Sequence, residues 1–143
     1  MDMRFSEAEE AFRQEVRDFL EKELPADYEG TEEEFFTDRG LAICKDFNRK
    51  LGAKGWLQLH WPKEYGGQGA SPMQMGIFVE EMAYRRAPIS PMAGWVGPIL
   101  ISHGSQEQRE KFLPKLAAGE MELCLGYTEP EAGSDLFSLR TRA

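Results

Sequence analysis

The pattern that most restricts the fold is a helix-start signal that occurs three times. Ser6-Glu7-Ala8-Glu9, Ser71-Pro72-Met73-Gln74 and Ser105-Gln106-Glu107-Gln108 each place a capping hydroxyl three residues before a Glu or Gln. In such a box the hydroxyl accepts a backbone N–H of the first turn, and the acid or amide side chain reaches back to the N–H of the cap. Both are donors that a helix start leaves unpaired. Each box opens a run of apolar residues at three- and four-residue spacing. Phe5, Ala8, Phe12, Val16, Phe19 and Leu20 form the first stripe, with Glu10, Arg13, Gln14 and Arg17 opposite it. Pro25 stops that helix. Met75, Phe78, Val79 and Met82 form the second stripe, and Phe112, Leu113 and Leu116 the third, which Pro114 bends and Gly119 ends.

Two further helices fit between these. Asp38 to Ala53 carries Leu41, Cys44, Phe47 and Leu51 on one side, with Gly55 as its left-handed stop. Pro91 to Gly104 is the least polar stretch, and a helix apolar on all sides is expected to be buried. The fold class is therefore mainly α, a bundle of about five or six helices. Glu32-Glu33-Glu34 reads as a solvated face or loop from which Phe35 and Phe36 dock back on the core. Trp56 to Pro62 is an extended segment or tight turn, Lys63 to Gly69 a glycine-rich connector, and His60 a satisfied core residue. After Gly119 the period changes. Met121, Leu123, Leu125 and Tyr127 alternate with Glu122, Cys124, Gly126 and Thr128, which predicts a strand. Ser138, Arg140 and Arg142 alternate with Leu139, Thr141 and Ala143, which predicts a second.

Charge and composition exclude several functions. The formal net charge is −8 with no basic run, which argues against nucleic acid and anionic membrane surfaces. No apolar run approaches the roughly 20 residues of a membrane helix, and the acidic start of the chain does not read as a signal peptide. Cys44 and Cys124 have no metal spacing and read as small buried hydrophobes in a reducing, cytoplasmic compartment. No metal site is expected.

The stretch Gly126-Tyr127-Thr128-Glu129-Pro130-Glu131-Ala132-Gly133-Ser134-Asp135 concentrates the remaining chemistry. Pro130 pushes Glu129 into an extended conformation. Gly133 can take a positive φ, letting backbone N–H groups converge on an anion, and Ser134 adds a hydroxyl donor. Such a loop suits a cofactor or a phosphate, although a Pro/Gly loop between strands is more often simply a turn. Thr128 to Asp135 resembles the Thr-Glu-Pro-x-Ala-Gly-Ser-Asp signature of the flavin-dependent acyl-CoA dehydrogenases. Gly55-Trp56, Trp61 to Gly67, Gly104 to Gln108 and the Leu-Pro-x-Leu-Ala-x-Gly run at Leu113–Gly119 recur in that family in the same order. The likeness covers about the last two thirds of the chain.

The resemblance implies an N-terminal helical domain over residues 1–120 and the start of a truncated middle β domain over 121–143. It implies FAD as cofactor, an acyl-CoA substrate, an electron-transfer flavoprotein as acceptor and a homo-oligomer, tetramer or dimer, of the full-length protein. In that family a carboxylate takes the α proton of the thioester while the flavin takes the β hydride. Carried over residue by residue, Leu125, Gly126, Tyr127 and Thr128 border the flavin, with the Thr128 hydroxyl at the ring edge. Gly133 and Ser134 approach the FAD pyrophosphate, and Ser134 also reaches the substrate's pantetheine. Met92, Trp95, Val96 and Ile99 are the expected acyl contacts. Asp135 and Glu129 are expected to hold the loop together. Tyr127 departs from the smaller aliphatic residue usual there. The family's base lies elsewhere, so no catalytic residue is expected in this chain, and the 143 residues alone are expected neither to hold FAD well nor to turn over. The alternatives are a non-catalytic helical partner subunit of the same fold and an acyl-CoA oxidase-like flavoenzyme.

Overall fold

The computed structural model describes residues 4–90, 92–124, 126 and 128–142. Among the described residues six α-helices follow one another: α1 (Glu7–Glu23), α2 (Glu32–Phe35), α3 (Asp38–Ala53), α4 (Pro72–Tyr84), α5 (Met92–His103) and α6 (Gln106–Ala117). Two 3-10 turns, Lys63–Tyr65 and Leu136–Ser138, complete the regular structure. All three capping boxes form, at Ser6, Ser71 and Ser105. The Ser6 N–H, for example, donates to Glu9 Oε2 at 2.7 Å. Thr31 and Thr37 cap α2 and α3 in the same way, accepting from the Glu34 and Gly40 N–H groups. Helix α1 ends at Glu23, with extended Leu24 as its C-cap immediately before Pro25. Gly55 and Gly119, just beyond α3 and α6, both take φ +69°.

Helix α1 packs along α4, with α3 against them. Their shared core includes Val16, Leu20, Phe47, Leu51, Phe78 and Met82 around the indole of Trp56. The Phe12, Phe19 and Phe78 rings lie 5.7, 5.4 and 6.1 Å from Trp56, all tilted or edge-on, as the ring quadrupoles prefer. A second core joins α5 and α6 through Trp61, Ala93, Leu113, Leu116 and Ala117. Between the two cores runs the non-helical segment 56–61. The Trp56 N–H donates back to Leu51 O at 2.8 Å, and Leu59 O accepts from Gln68 and Ala70 at 3.1 Å each. At Gly67 a Cβ would sit 2.2 Å from Trp61 O, so this close approach requires glycine.

Several positions differ from the periodicity. Arg13, expected on the solvent face of α1, is buried. Its Nη1 donates to Glu81 Oε1 of α4 at 2.6 Å, while Arg17 donates to both Glu81 oxygens at 2.9 Å. Glu81 is itself only 4% exposed, and Glu80 gives Arg13 a second acid at 2.8 Å. The two guanidiniums, Arg17 foremost, hold the Glu81 carboxyl below the usual carboxylate range although burial opposes this. Leu41 and Val79 are exposed, because each lies at the edge of its stripe. Phe36 is 72% exposed and stacks edge-on against Phe35 instead of entering the core. His60 lies at the surface. No ladder forms over the described residues of 121–128, nor over 138–142. An isolated bridge pairs Glu129 with Ala132, and residues 136–138 coil into a 3-10 turn. An alternating sequence becomes a strand only beside another edge, and no other described segment offers one.

The buried ion cluster yields the first test. Without Glu81, Arg13 keeps only the exposed Glu80 and half-exposed Arg17 turns to solvent, so Glu81→Ala should cost about 1.5–3 kcal/mol in urea unfolding, the scale of a charge-assisted hydrogen bond, and replacing Arg13, Arg17 and Glu81 together by Met, Met and Leu should cost less. Because the folded pKa of Glu81 is depressed, its contribution is fully present above the ordinary carboxylate range and should be lost as pH falls through the depressed value.

Candidate functional site

Two surfaces collect the residues singled out above. The first is the outer face of α5. Ala93 on its inner side is buried against the second core, together with partly buried Leu100 and Ile101. Gly97 lies directly on the Trp61 indole. On the opposite side Trp95 and Ile99, one turn apart, are 56% and 60% exposed, and Val96 is half-buried beside them. The expectation of a helix buried on all sides is therefore corrected: α5 is seated on one face and bare on the other. Met92 begins the helix, and the placement of its side chain lies outside what is described. Pro98 removes the N–H that would have bonded the Gly94 carbonyl, so the helix is locally weakened at its middle.

The second surface is the loop 126–135. Leu125 and Tyr127 lie outside the described residues; Gly126, Thr128, Gly133 and Ser134 are exposed. The loop is built on a tight turn. Glu129 N–H donates to Ala132 O at 3.0 Å and Ala132 N–H returns to Glu129 O at 3.1 Å, with Pro130 and Glu131 at the tip. Ala132 is buried and anchors the turn. The Glu129 carboxylate reaches across to residues 140–141. It accepts from Arg140 N–H at 2.9 Å, from Thr141 N–H at 2.7 Å and from the Thr141 hydroxyl. Those donors, Thr141 first, hold its pKa below the usual range. A carboxylate so committed is a strap and is poorly suited to take a proton from a ligand. Asp135 holds the loop through its carbonyl, which accepts the Ser138 N–H and, at 2.8 Å, the Ser138 hydroxyl.

Gly133 does not adopt a left-handed conformation, so the expected convergence of N–H groups is not formed. A Cβ at Gly133 would meet nothing within 4 Å, and the loop is open on that side. Thr128 and Ser134 offer hydroxyls with no hydrogen-bond partner among the described residues. These fit a ligand rich in acceptors, such as the phosphates and ring carbonyls of a nucleotide cofactor. No hydrogen bond or ion pair joins this loop to α5 among the described residues. Leu136 and Phe137, which no stripe or alternation marks, are exposed beyond the loop, as is Leu139 of the expected second strand.

Cys44 is buried, donates to Pro88 O at 3.2 Å, and has its thiol pKa pushed up by burial. Cys124 is exposed, contrary to the expectation of two buried thiols. Among the described residues no cluster of His, Cys, Asp and Glu could hold a metal ion, and no helix is long and apolar enough to cross a membrane.

Comparison with known proteins shows close relatives. The family model described as "Acyl-CoA dehydrogenase, N-terminal domain" matches residues 6–120. Acyl-CoA dehydrogenase FadE29 of Mycobacterium tuberculosis is 43% identical over 130 residues, covering 90% of this chain and 33% of that protein. The solved structure named "Tcur3481-Tcur3483 steroid ACAD" superposes with a TM-score of 0.82 at 38% identity, covering 99% of this chain and 37% of that one. The ChsE4-ChsE5 complex from Mycobacterium tuberculosis gives 0.80 at 36% identity, with 99% and 35% coverage. The chain thus spans about a third of the length of these relatives.

The Glu129 strap is open to test by NMR. The amide shifts of Arg140 and Thr141 should titrate with a midpoint below the ordinary carboxylate range, and Glu129→Gln should abolish that titration. The bonds are closed above the depressed pKa and are lost as pH falls through it.

Proposed function

The chain belongs to the acyl-CoA dehydrogenase family, and from that premise we propose that it is the N-terminal part of an FAD-dependent enzyme that removes hydrogen from the α and β carbons of an acyl-CoA thioester. The observation that carries this reading is the signature loop itself: Thr128 and Ser134 present hydroxyls with no partner among the described residues, while the neighbouring acid, Glu129, is already bound to backbone. The donor set fits FAD. When bound, FAD supplies the acceptor for the β hydride. Thr128 would donate to the ring edge, Gly126, without a side chain, would let the ring approach, and Leu125 and Tyr127 are the residues assigned to border it. Gly133 and Ser134 would lie at the pyrophosphate, where Ser134 would donate its hydroxyl, and Ser134 would also reach the pantetheine of the substrate. The outer face of α5, with Trp95, Val96 and Ile99, would cover the acyl chain and exclude water from it, and Met92, which begins the helix, is the fourth residue assigned to that contact. None of these residues takes the α proton.

Residues 1–120 form the helical domain in this reading, and 121–143 begin a second unit that lies against the flavin. The enzyme is a cytoplasmic tetramer or dimer that passes electrons to an electron-transfer flavoprotein. A relative named as a steroid enzyme, 38% identical over almost the whole chain, supports a steroid-bearing thioester as the substrate class. Two solved relatives are named as pairs of different polypeptides, which favours a second reading in which this chain is a partner subunit completing its site with another subunit.

The deciding measurement is the visible spectrum of the natural gene product before and after anaerobic addition of linear and steroid acyl-CoAs. A bound flavin that bleaches with the steroid thioester supports the reading, and fast re-oxidation in air would point to an oxidase. A colourless protein that acquires flavin only with a co-expressed partner supports the second reading. In the flavin-bearing protein Ser134→Ala should weaken acyl-CoA or FAD binding by about tenfold, the worth of one hydrogen bond to a charged group; Thr128→Val should shift the flavin absorption bands. Unchanged affinities and spectra would remove both residues from the site.

A further inference from the structure

We propose that Gly97 is a specificity-determining residue: its contact with the Trp61 indole sets how deeply α5 is seated, and so how much room Trp95 and Ile99 leave for the acyl group. The inference rests on the reading that the outer face of α5 borders the acyl chain. Gly97 is buried, and a Cβ built there would lie 1.7 Å from Trp61 Cζ2, 2.4 Å from Cη2 and 2.6 Å from Cε2. Real Cβ contacts essentially never fall below 3.0 Å. A single added methyl therefore forces the helix and the ring apart by more than an ångström.

The ring cannot make that room. Trp61 is 1% exposed and packs in the second core with Leu113 and Leu116. Its backbone is wedged as well, since its carbonyl accepts the Gly69 N–H at 2.8 Å and lies against Gly67. The Trp61 Nε1 and Gln58 Oε1 atoms are buried and have no hydrogen-bond partner among the described residues. Gln58 Oε1 lies 3.9 Å from where a Cβ of Gly94 would be, one turn before Gly97. Helix α5 is the side that gives: Pro98 has already removed one of its hydrogen bonds, and Trp95 and Ile99 on its outer face are exposed among the described residues, whereas Trp61 is sealed in the core. Displacement pushes Trp95 and Ile99 outward, into the space an acyl group would occupy. Glycine at 97 is thus the condition for a wide acyl space.

The test uses the flavin-bearing holoenzyme. Dissociation constants of non-oxidisable thioether analogues of acyl-CoA are measured for a short linear chain and for a ring-bearing chain, alongside kcat/KM for the matching substrates. Gly97→Ala should lower the preference for the ring-bearing member on the order of tenfold, the scale of a methyl-sized change in an apolar pocket. The double variant Gly97→Ala with Trp61→Phe should recover most of that preference. A folded, flavin-bound Gly97→Ala protein with the original preference overturns the proposal. Should Gly97→Ala fail to fold, Trp61→Phe alone, which keeps an aromatic ring in the core, gives the decision: room opened beneath α5 should shift preference toward wider acyl groups, and an unchanged preference overturns the proposal. Trp95→Ala separates the two layers of inference. If it alters the dissociation constants while Gly97→Ala does not, only the role of Gly97 fails; if neither does, the acyl reading of α5 fails with it.

Discussion

Two indoles five residues apart in a non-helical segment hold this chain together. Trp56 occupies the centre of the core made by α1, α3 and α4, and Trp61 the floor of the core made by α5 and α6. Helices joined by loops can drift relative to one another, but a short segment with a large side chain planted in each core cannot. The backbone between them is pinned by bonds from Gln68, Gly69 and Ala70, which fold the glycine-rich connector back over it. Glycine at 67 follows from that fold-back, because the connector passes within van der Waals distance of the Trp61 carbonyl. The order of dependence runs from the two indoles to the connector, then to the seat of α5, and only then to the surface α5 displays.

The Arg13–Glu81–Arg17 cluster acts differently. Apolar packing between α1 and α4 tolerates sliding by one turn, since one stripe of aliphatic side chains resembles the next. A buried carboxylate with two guanidiniums from a partner helix does not, because any other register leaves a desolvated charge unpaired. The cluster fixes the alignment of the helices more than it adds to their affinity. Asn48 plays a neutral version of the same part: its amide donates to Cys44 O and Pro88 O and accepts from Ser90 N–H, which ties α3 to the segment leading into α5.

Where the sequence was informative, local chemistry decided the outcome. Ser6 with Glu9, Ser71 with Gln74 and Ser105 with Gln108 need only their own first turn to form, so they were legible and mark true helix starts. Gly55 and Gly119 are legible for the same reason. Failures came where a distant partner decides. Arg13 looks like a surface residue until Glu81, far along the chain, is brought beside it. Val79 and Phe36 look like core until tertiary packing leaves them outside. The alternation of 121–128 indicates strand, yet a strand exists only with its neighbour. The signature loop was legible as a motif and less so as geometry: Gly133 could have turned left-handed and did not, and the Glu129 strap depended on donors from residues 140 and 141.

The bareness of α5 has an optical consequence. Of the three tryptophans, Trp56 and Trp61 are sealed in apolar cores and Trp95 faces solvent. Emission from the first two is blue and shielded from iodide, while emission from the third is red-shifted and open to collisional quenching. The chain therefore carries its own reporter on the face in question. Anything that covers α5, whether a ligand, a neighbouring domain or a second subunit, will blue-shift and protect one indole of three and leave the other two as an internal standard.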